Sequence, residues 1–148
     1  MYLDRGVARY LAGQPESAAA DFRKAVELVE QYRRPDQTVQ HTFQTNGILI
    51  DDEWCEFFKE HDFLVGISID RPRELHDAYR VNKGGKGSFD QVMKGLNHLR
   101  AVGVQWNALT TVHARNGEHG REVYRFLRDE CDARFIQFIP IIERVAEA

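Results

Sequence analysis

Apolar positions along this chain recur at two spacings, and the switches between them mark its elements. Phe22, Ala25, Val26, Leu28, Val29 and Tyr32 fall at helical spacing and stop before Pro35, which predicts a helix ending there. Residues 39–45 (VQHTFQT) alternate with period two and close on Asn46-Gly47, a strand and its turn. Asp51, Asp52 and Glu53 put negative charge in the first turn of a helix whose apolar stripe is Trp54, Phe57 and Phe58. A second strand covers 63–69. After a glycine-rich loop, Ser88 with Gln91 predicts a capping box, and Phe89, Val92, Met93, Leu96 and Leu99 supply a helical core face that Gly103 stops. A third strand spans 104–112, and a helix carries Val123, Tyr124, Phe126 and Leu127. Residues 134–142 (RFIQFIPII) form a strand apolar enough to be buried on both faces.

Strands separated by helices of this length are βα units, so the fold class is α/β with parallel strands and helices outside. A barrel and a doubly wound sheet both fit. Four strands complete neither, which points to a section of a longer protein. In either fold, ligands gather at the carboxyl ends of the strands. Residues 1–20 read as a separate helical segment built on Leu3, Val7, Tyr10 and Leu11, with 21–148 as the α/β part. The stretch from Gly6 to Leu28 faintly resembles one tetratricopeptide unit, but no second copy follows to cover its face.

Composition narrows the classes. The chain has 148 residues, 43% apolar and 29% charged, with a formal net charge of −3. Its basic residues are spread among the acidic ones, which argues against nucleic acid as a partner. No apolar run reaches the ~20 residues that span a bilayer, and the first residues lack signal-peptide character, so the expectation is a cytoplasmic, non-membrane chain. Two cysteines, Cys55 and Cys131, are too few for a disulfide framework or a metal site of their own and read as small buried thiols.

The candidate chemistry lies where strands end. Ser68 and Asp70 follow the second strand; Gln44, Thr45 and Asn46 follow the first; 141–143 follow the last. Serine at such a mouth can bond a ligand hydroxyl or carboxylate, and arginine can grip a carboxylate through two charge-assisted bonds. A local reading fits the same residues: Asp70 capping a turn before Pro72, with Arg71, Arg73 and Arg80 paired to Glu74 and Asp77. The GGKGS stretch at 84–88 fails the phosphate-loop pattern, since Arg80 occupies the first glycine position, and reads as a connection to Ser88. His113, Glu118 and His119 flank one loop but fall short of the converging ligands a metal needs.

Three ordered blocks carry a resemblance: 44–58 (QTNGILIDDEWCEFF), 63–96 from FLVGISID to VMKGL, and 134–144 (RFIQFIPIIER). Together they closely resemble the anaerobic sulfatase-maturating enzymes, radical S-adenosylmethionine proteins with a cysteine-rich C-terminal domain. The resemblance implies a partial (β/α)6 barrel holding S-adenosylmethionine and a [4Fe–4S] cluster. It implies oxidation of a cysteine or serine of a sulfatase polypeptide to Cα-formylglycine. Ser68 falls where the family's serine contacts S-adenosylmethionine, Arg80 on the arginine that holds its carboxylate, and Ile142 on the apolar residue against the adenine. Gln44 and Asn46 would line the same cavity. The family's Cys-x3-Cys-x2-Cys is absent, Arg71 stands where a glycine is usual, and 12–16 is an altered Gly-Gly-Glu-Pro. The chain alone is therefore expected to be inactive, lacking the remainder of the enzyme. The alternative is a non-catalytic S-adenosylmethionine-binding or protein-interaction module.

Overall fold

The computed structural model describes residues 1–70, 73–82, 84–114 and 116–141. Two helices open the chain, α1 (Tyr2–Leu11) and α2 (Pro15–Tyr32). They are followed by β1 (Thr42–Thr45), α3 (Asp52–Glu60), β2 (Leu64–Ser68), α4 (Arg73–Tyr79) and α5 (Phe89–Val102). Next come β3 (Gln105–Val112), a 3-10 turn, α6 (Gly120–Arg125) continued by a π turn to Glu130, and β4 (Ile136–Pro140). The four strands pair in the order β1-β2-β3-β4, all parallel. That order has no reversal, so it is a sector of a barrel rather than a doubly wound sheet, in which the order switches direction. Among the described residues, no helix is long and apolar enough to cross a membrane.

The register sorts the side chains by face. Phe43 pairs with Val65 and Val65 with Trp106; Thr45 pairs with Ile67 and Ile67 with Ala108. This face is packed under helices: Val65, Ile67, Ala108, Trp54, Phe57, Phe58, Leu96, Leu99 and Leu127 are all essentially buried. Each such Val, Leu, Ile or Phe side chain taken from water contributes about 1.5–3 kcal/mol. The other face carries Gln44, Gly66 and Asn107 in one row, then Ser68, Leu109 and Gln137 in the next. It is the more polar and more open side, the one a closed barrel would turn inward.

Local chemistry fixes where the elements start and meet. Asp51 is the N-cap of α3, its carboxylate accepting from the backbone of Trp54 at 3.0 Å. Gly47 takes φ 79° after Asn46, and a Cβ there would fall 2.7 Å from Ile67 Cδ1. Its carbonyl oxygen lies 2.2 Å from where a Cβ on Gly95 would be, so two glycines let the loop after β1 rest directly on α5. α1 and α2 form a hairpin beside β1. The buried carboxylate of Asp21 receives both Arg5 and Arg9, and Tyr10 reaches into the core to Thr45 Oγ1 at 3.1 Å.

The helix α2 runs unbroken through residues 20 and 21. Three expectations change. The first strand is shorter than 39–45 because ladder pairing with β2 starts at Thr42. The last strand, expected to be buried on both faces, is an edge strand whose residues 137–140 are exposed, since no described element lies beyond it. Ser88 makes no capping box: its hydroxyl goes to Arg80, and Asp77 Oδ1 accepts from the Phe89 N–H at 2.9 Å instead.

Candidate functional site

Beyond the carboxyl ends of β2 and β3 the chain gathers buried polar groups into one network. Asp70, Ser88, Thr110 and Asn116 are nearly inaccessible and His76 wholly so. Buried groups of this kind are costly unless bonded. Here they are bonded. Thr110 Oγ1 donates to the Ile69 carbonyl at 2.7 Å, and the Asn116 amide bridges the Thr111 carbonyl and the His113 N–H, closing the loop after β3. Asp70 Oδ1 accepts from the Thr111 N–H at 2.9 Å, while its Oδ2 takes Arg80 Nε at 2.5 Å. Arg80 Nη2 donates to Thr111 Oγ1 at 3.0 Å.

Arg80 is thus anchored, yet not exhausted. A guanidinium has five N–H donors; Asp70 and Thr111 take two, and its side chain is 25% exposed. Among the described residues nothing takes Nη1. The pairing differs from the local one the sequence allowed, in which the arginines met Glu74 and Asp77. Arg73 pairs with Asp90 through two bonds, and Asp77 caps α5.

His76 lies behind this pair. Its Nδ1 accepts from the Asp70 N–H at 3.2 Å, its Nε2 meets Ser88 Oγ at 3.1 Å, and its ring stands edge-on to Phe89. Burial holds its pKa below the ordinary histidine value, so the neutral ring is favoured. Sequence reasoning missed α4 and His76, because seven residues of mostly charged character leave little apolar signal. The spacing His76 to Arg80 was the available clue, since residues four apart share a helical face.

Of the residues read from the sequence, Gln44 and Ser68 stand on the open face of the sheet, and Arg80 reaches the end of that face through Thr111. Asn46 turns its carboxamide oxygen to the Ile48 N–H at 3.2 Å and so holds its own loop. Ile142 lies outside the described residues. Three cavities lie elsewhere. One of 820 Å³ sits at the amino ends of the strands, among Arg100, Trp106, Arg134 and Phe135; one of 450 Å³ lies between Gly13, Asp51 and Lys94; and one of 370 Å³ borders α6. None of these three is lined by Gln44, Asn46, Ser68 or Arg80.

Parallel strands with helices outside, and polar groups gathered at their carboxyl ends, define a class of folds rather than a family. The family is decided by comparison: the model of the radical SAM superfamily matches residues 6–127. The chain belongs to the radical SAM superfamily. A serine-type anaerobic sulfatase-maturating enzyme of Bacteroides thetaiotaomicron is 50% identical over 124 residues, covering 84% of this chain and 30% of the relative. A cysteine-type anaerobic sulfatase-maturating enzyme of Clostridium novyi is 37% identical over 137 residues, covering 92% of this chain and 36% of the relative. Native anSMEcpe with bound AdoMet superimposes with a TM-score of 0.81 at 30% identity, over 89% of this chain and 36% of that one. The same protein with AdoMet and the Kp18Cys peptide gives 0.78 at 31% identity, over 86% and 35%. The chain therefore spans about a third of the length of these radical SAM relatives.

An iron–sulfur cluster does not fit the donors present. Among the described residues no three His, Cys, Asp or Glu converge as a metal site. Cys55 and Cys131 are both buried, and burial pushes the Cys55 thiol up to about 12, away from the thiolate such a cluster requires. His113 leaves both ring nitrogens unbonded among the described residues, and His119 faces Glu122 at 3.4 Å.

Proposed function

We propose that the carboxyl ends of β1, β2 and β3 bind S-adenosylmethionine, and that this chain is the cofactor-holding section of a sulfatase-maturating radical SAM enzyme. The observation that carries the reading is Arg80, held at two N–H groups by Asp70 and Thr111, with three N–H groups left over among the described residues. A carboxylate offered to those donors would gain charge-assisted bonds to a group already ordered, so little side-chain freedom would be lost on binding. Ser68, two residues before Asp70, would accept or donate to the same amino acid end. Gln44 and Asn46 would border it on the β1 side, and Ile142 would meet the adenine.

The names of the relatives support a cysteine or serine of a sulfatase as the substrate; formylglycine as the product is what the resemblance of the sequence blocks implies. In such enzymes S-adenosylmethionine, with a reduced [4Fe–4S] cluster, supplies the hydrogen abstraction. No step through a cluster is assigned to this chain, because its donors do not fit one. The fraction that this chain can perform is binding and orientation. A chain with two cysteines, both buried, also suits the reducing cytoplasm, which this reading takes as its compartment.

The missing donors favour a second reading, a module that binds S-adenosylmethionine without catalysis. Both are tested together. Calorimetric titration of the 148-residue chain with S-adenosylmethionine should give binding that Arg80→Ala weakens by about tenfold or more, the equivalent of about 1.4 kcal/mol. No heat from the parent chain sinks both. Anaerobic reconstitution with iron and sulfide should yield no 5′-deoxyadenosine; its release would overturn the assignment of binding alone.

A further inference from the structure

We infer that His76 is a positioning residue: through its neutral Nε2–H tautomer it ties the end of β2 to Arg80 and sets the direction of that guanidinium. The inference rests on the proposed S-adenosylmethionine site for its functional meaning, but its geometry stands apart. The chain of donors and acceptors has one solution. Nδ1 accepts from the Asp70 N–H at 3.2 Å, so it carries no proton. Ser88 Oγ donates to the Arg80 carbonyl at 2.7 Å, so its proton is used and its oxygen can only accept from the ring. Nε2 must therefore hold the hydrogen and donate to Ser88.

The links close into a ring. From the Asp70 backbone they pass through the His76 imidazole and the Ser88 hydroxyl to the Arg80 carbonyl, which also accepts from the Ser88 N–H at 3.1 Å. The Arg80 N–H returns to the His76 carbonyl at 2.8 Å, and the Arg80 side chain returns to the Asp70 carboxylate. Arg80 is thereby held at backbone and side chain by groups that are themselves buried. Solvent cannot substitute for the middle of the ring, since His76 is fully buried and Ser88 1% exposed. A fully satisfied buried network of this kind specifies one arrangement.

Protonation would break it. A hydrogen on Nδ1 would confront the Asp70 N–H, donor against donor. The charged and titratable groups that act on the ring are Asp70 from the loop after β2 and Asp77 and Arg80 from α4 and its end; α5 contributes Ser88 and the edge-on Phe89. Affinity for S-adenosylmethionine should therefore fall when acid reaches His76. A histidine that merely filled space would leave the affinity independent of its tautomer.

The test uses the whole 148-residue chain, labelled with nitrogen-15. Long-range proton–nitrogen spectra should show His76 with Nε2 protonated and Nδ1 bare; a proton on Nδ1 at neutral pH overturns the inference. His76→Phe keeps an aromatic ring, a somewhat larger one, and removes both bonds, while His76→Asn restores an acceptor near the Nδ1 position. Folding is checked by circular dichroism. His76→Phe should lose about tenfold in S-adenosylmethionine affinity, with part of it recovered in His76→Asn. Unchanged affinity in a folded His76→Phe, with Arg80→Ala impaired, overturns positioning. If the parent binds no S-adenosylmethionine, the functional reading fails by itself. Positioning is then judged by water exchange of Arg80 Nε–H, slow in the parent and fast in His76→Phe; equal rates overturn it.

Discussion

The two ends of the parallel strands are built on opposite principles. Of the seven buried polar residues described, six lie at the carboxyl end: Thr45, Asp70, His76, Ser88, Thr110 and Asn116. The seventh, Asp21, belongs to the α1–α2 hairpin. At the amino end the interior is aromatic, with Phe57, Phe58 and Phe63 in mutual contact and His41 stacked on Phe63. The 820 Å³ cavity is at this aromatic end, and the hydrogen-bonded network is at the other. Volume alone would choose the aromatic end. Buried polarity costs free energy that an apolar core avoids, so its concentration at one end marks the place where orientation matters.

Substitutions at the two ends should separate stability from binding. Phe57→Ala, at the aromatic end, should lose about 3–5 kcal/mol in urea unfolding, yet leave S-adenosylmethionine affinity unchanged in the protein that remains folded. Asp70→Ala should cost less, about 1–3 kcal/mol, because it strips partners from the Thr111 N–H and Arg80. It should nevertheless abolish most S-adenosylmethionine binding in calorimetry, which Phe57→Ala would not. Equal effects of the two on affinity would break the contrast between the ends.

Acid should act through the carboxyl end as well. His76 has a folded pKa below its unfolded value of about 6.5, so as pH falls the unfolded chain takes up the proton first and stability declines. The contribution is complete above about pH 6.5 and is lost below it. His76→Phe should flatten that part of a stability-against-pH curve; an unaltered slope would show that the ring is not the group responsible. The smallest effect is expected at Arg134, on the rim of the amino-end cavity. Arg134→Ala should change stability by no more than about 0.5 kcal/mol and binding not at all, as a thermal melt and a titration would show.

How much of this was legible in the sequence follows from the range of each contact. β2 and α5 were read nearly to their ends, because Val65, Ile67, Leu96 and Leu99 face a core whose period is written locally. The apolar run of β4 looked the same as a central strand, but whether a strand is central depends on what pairs beyond it. Its exposed Phe138 and Ile139 record an edge, which no local pattern encodes. Ser88 had the local signature of a cap; its hydroxyl was claimed instead by the Arg80 carbonyl across the loop. Ser68, Arg80 and Gln44 were chosen by their strand-end positions and by resemblance. The network behind Arg80 was invisible, since it joins Asp70, His76, Ser88 and Thr111 across four segments.

The central claim is that S-adenosylmethionine sits at the carboxyl end of the sheet, and amide shift mapping tests it most directly. Titrating the labelled chain should move Gln44, Asn46, Ser68, Arg80 and Thr111, leaving Trp106, Arg100 and Arg134 in place. Shifts confined to the amino-end cavity, or no shifts at saturating ligand, would contradict it.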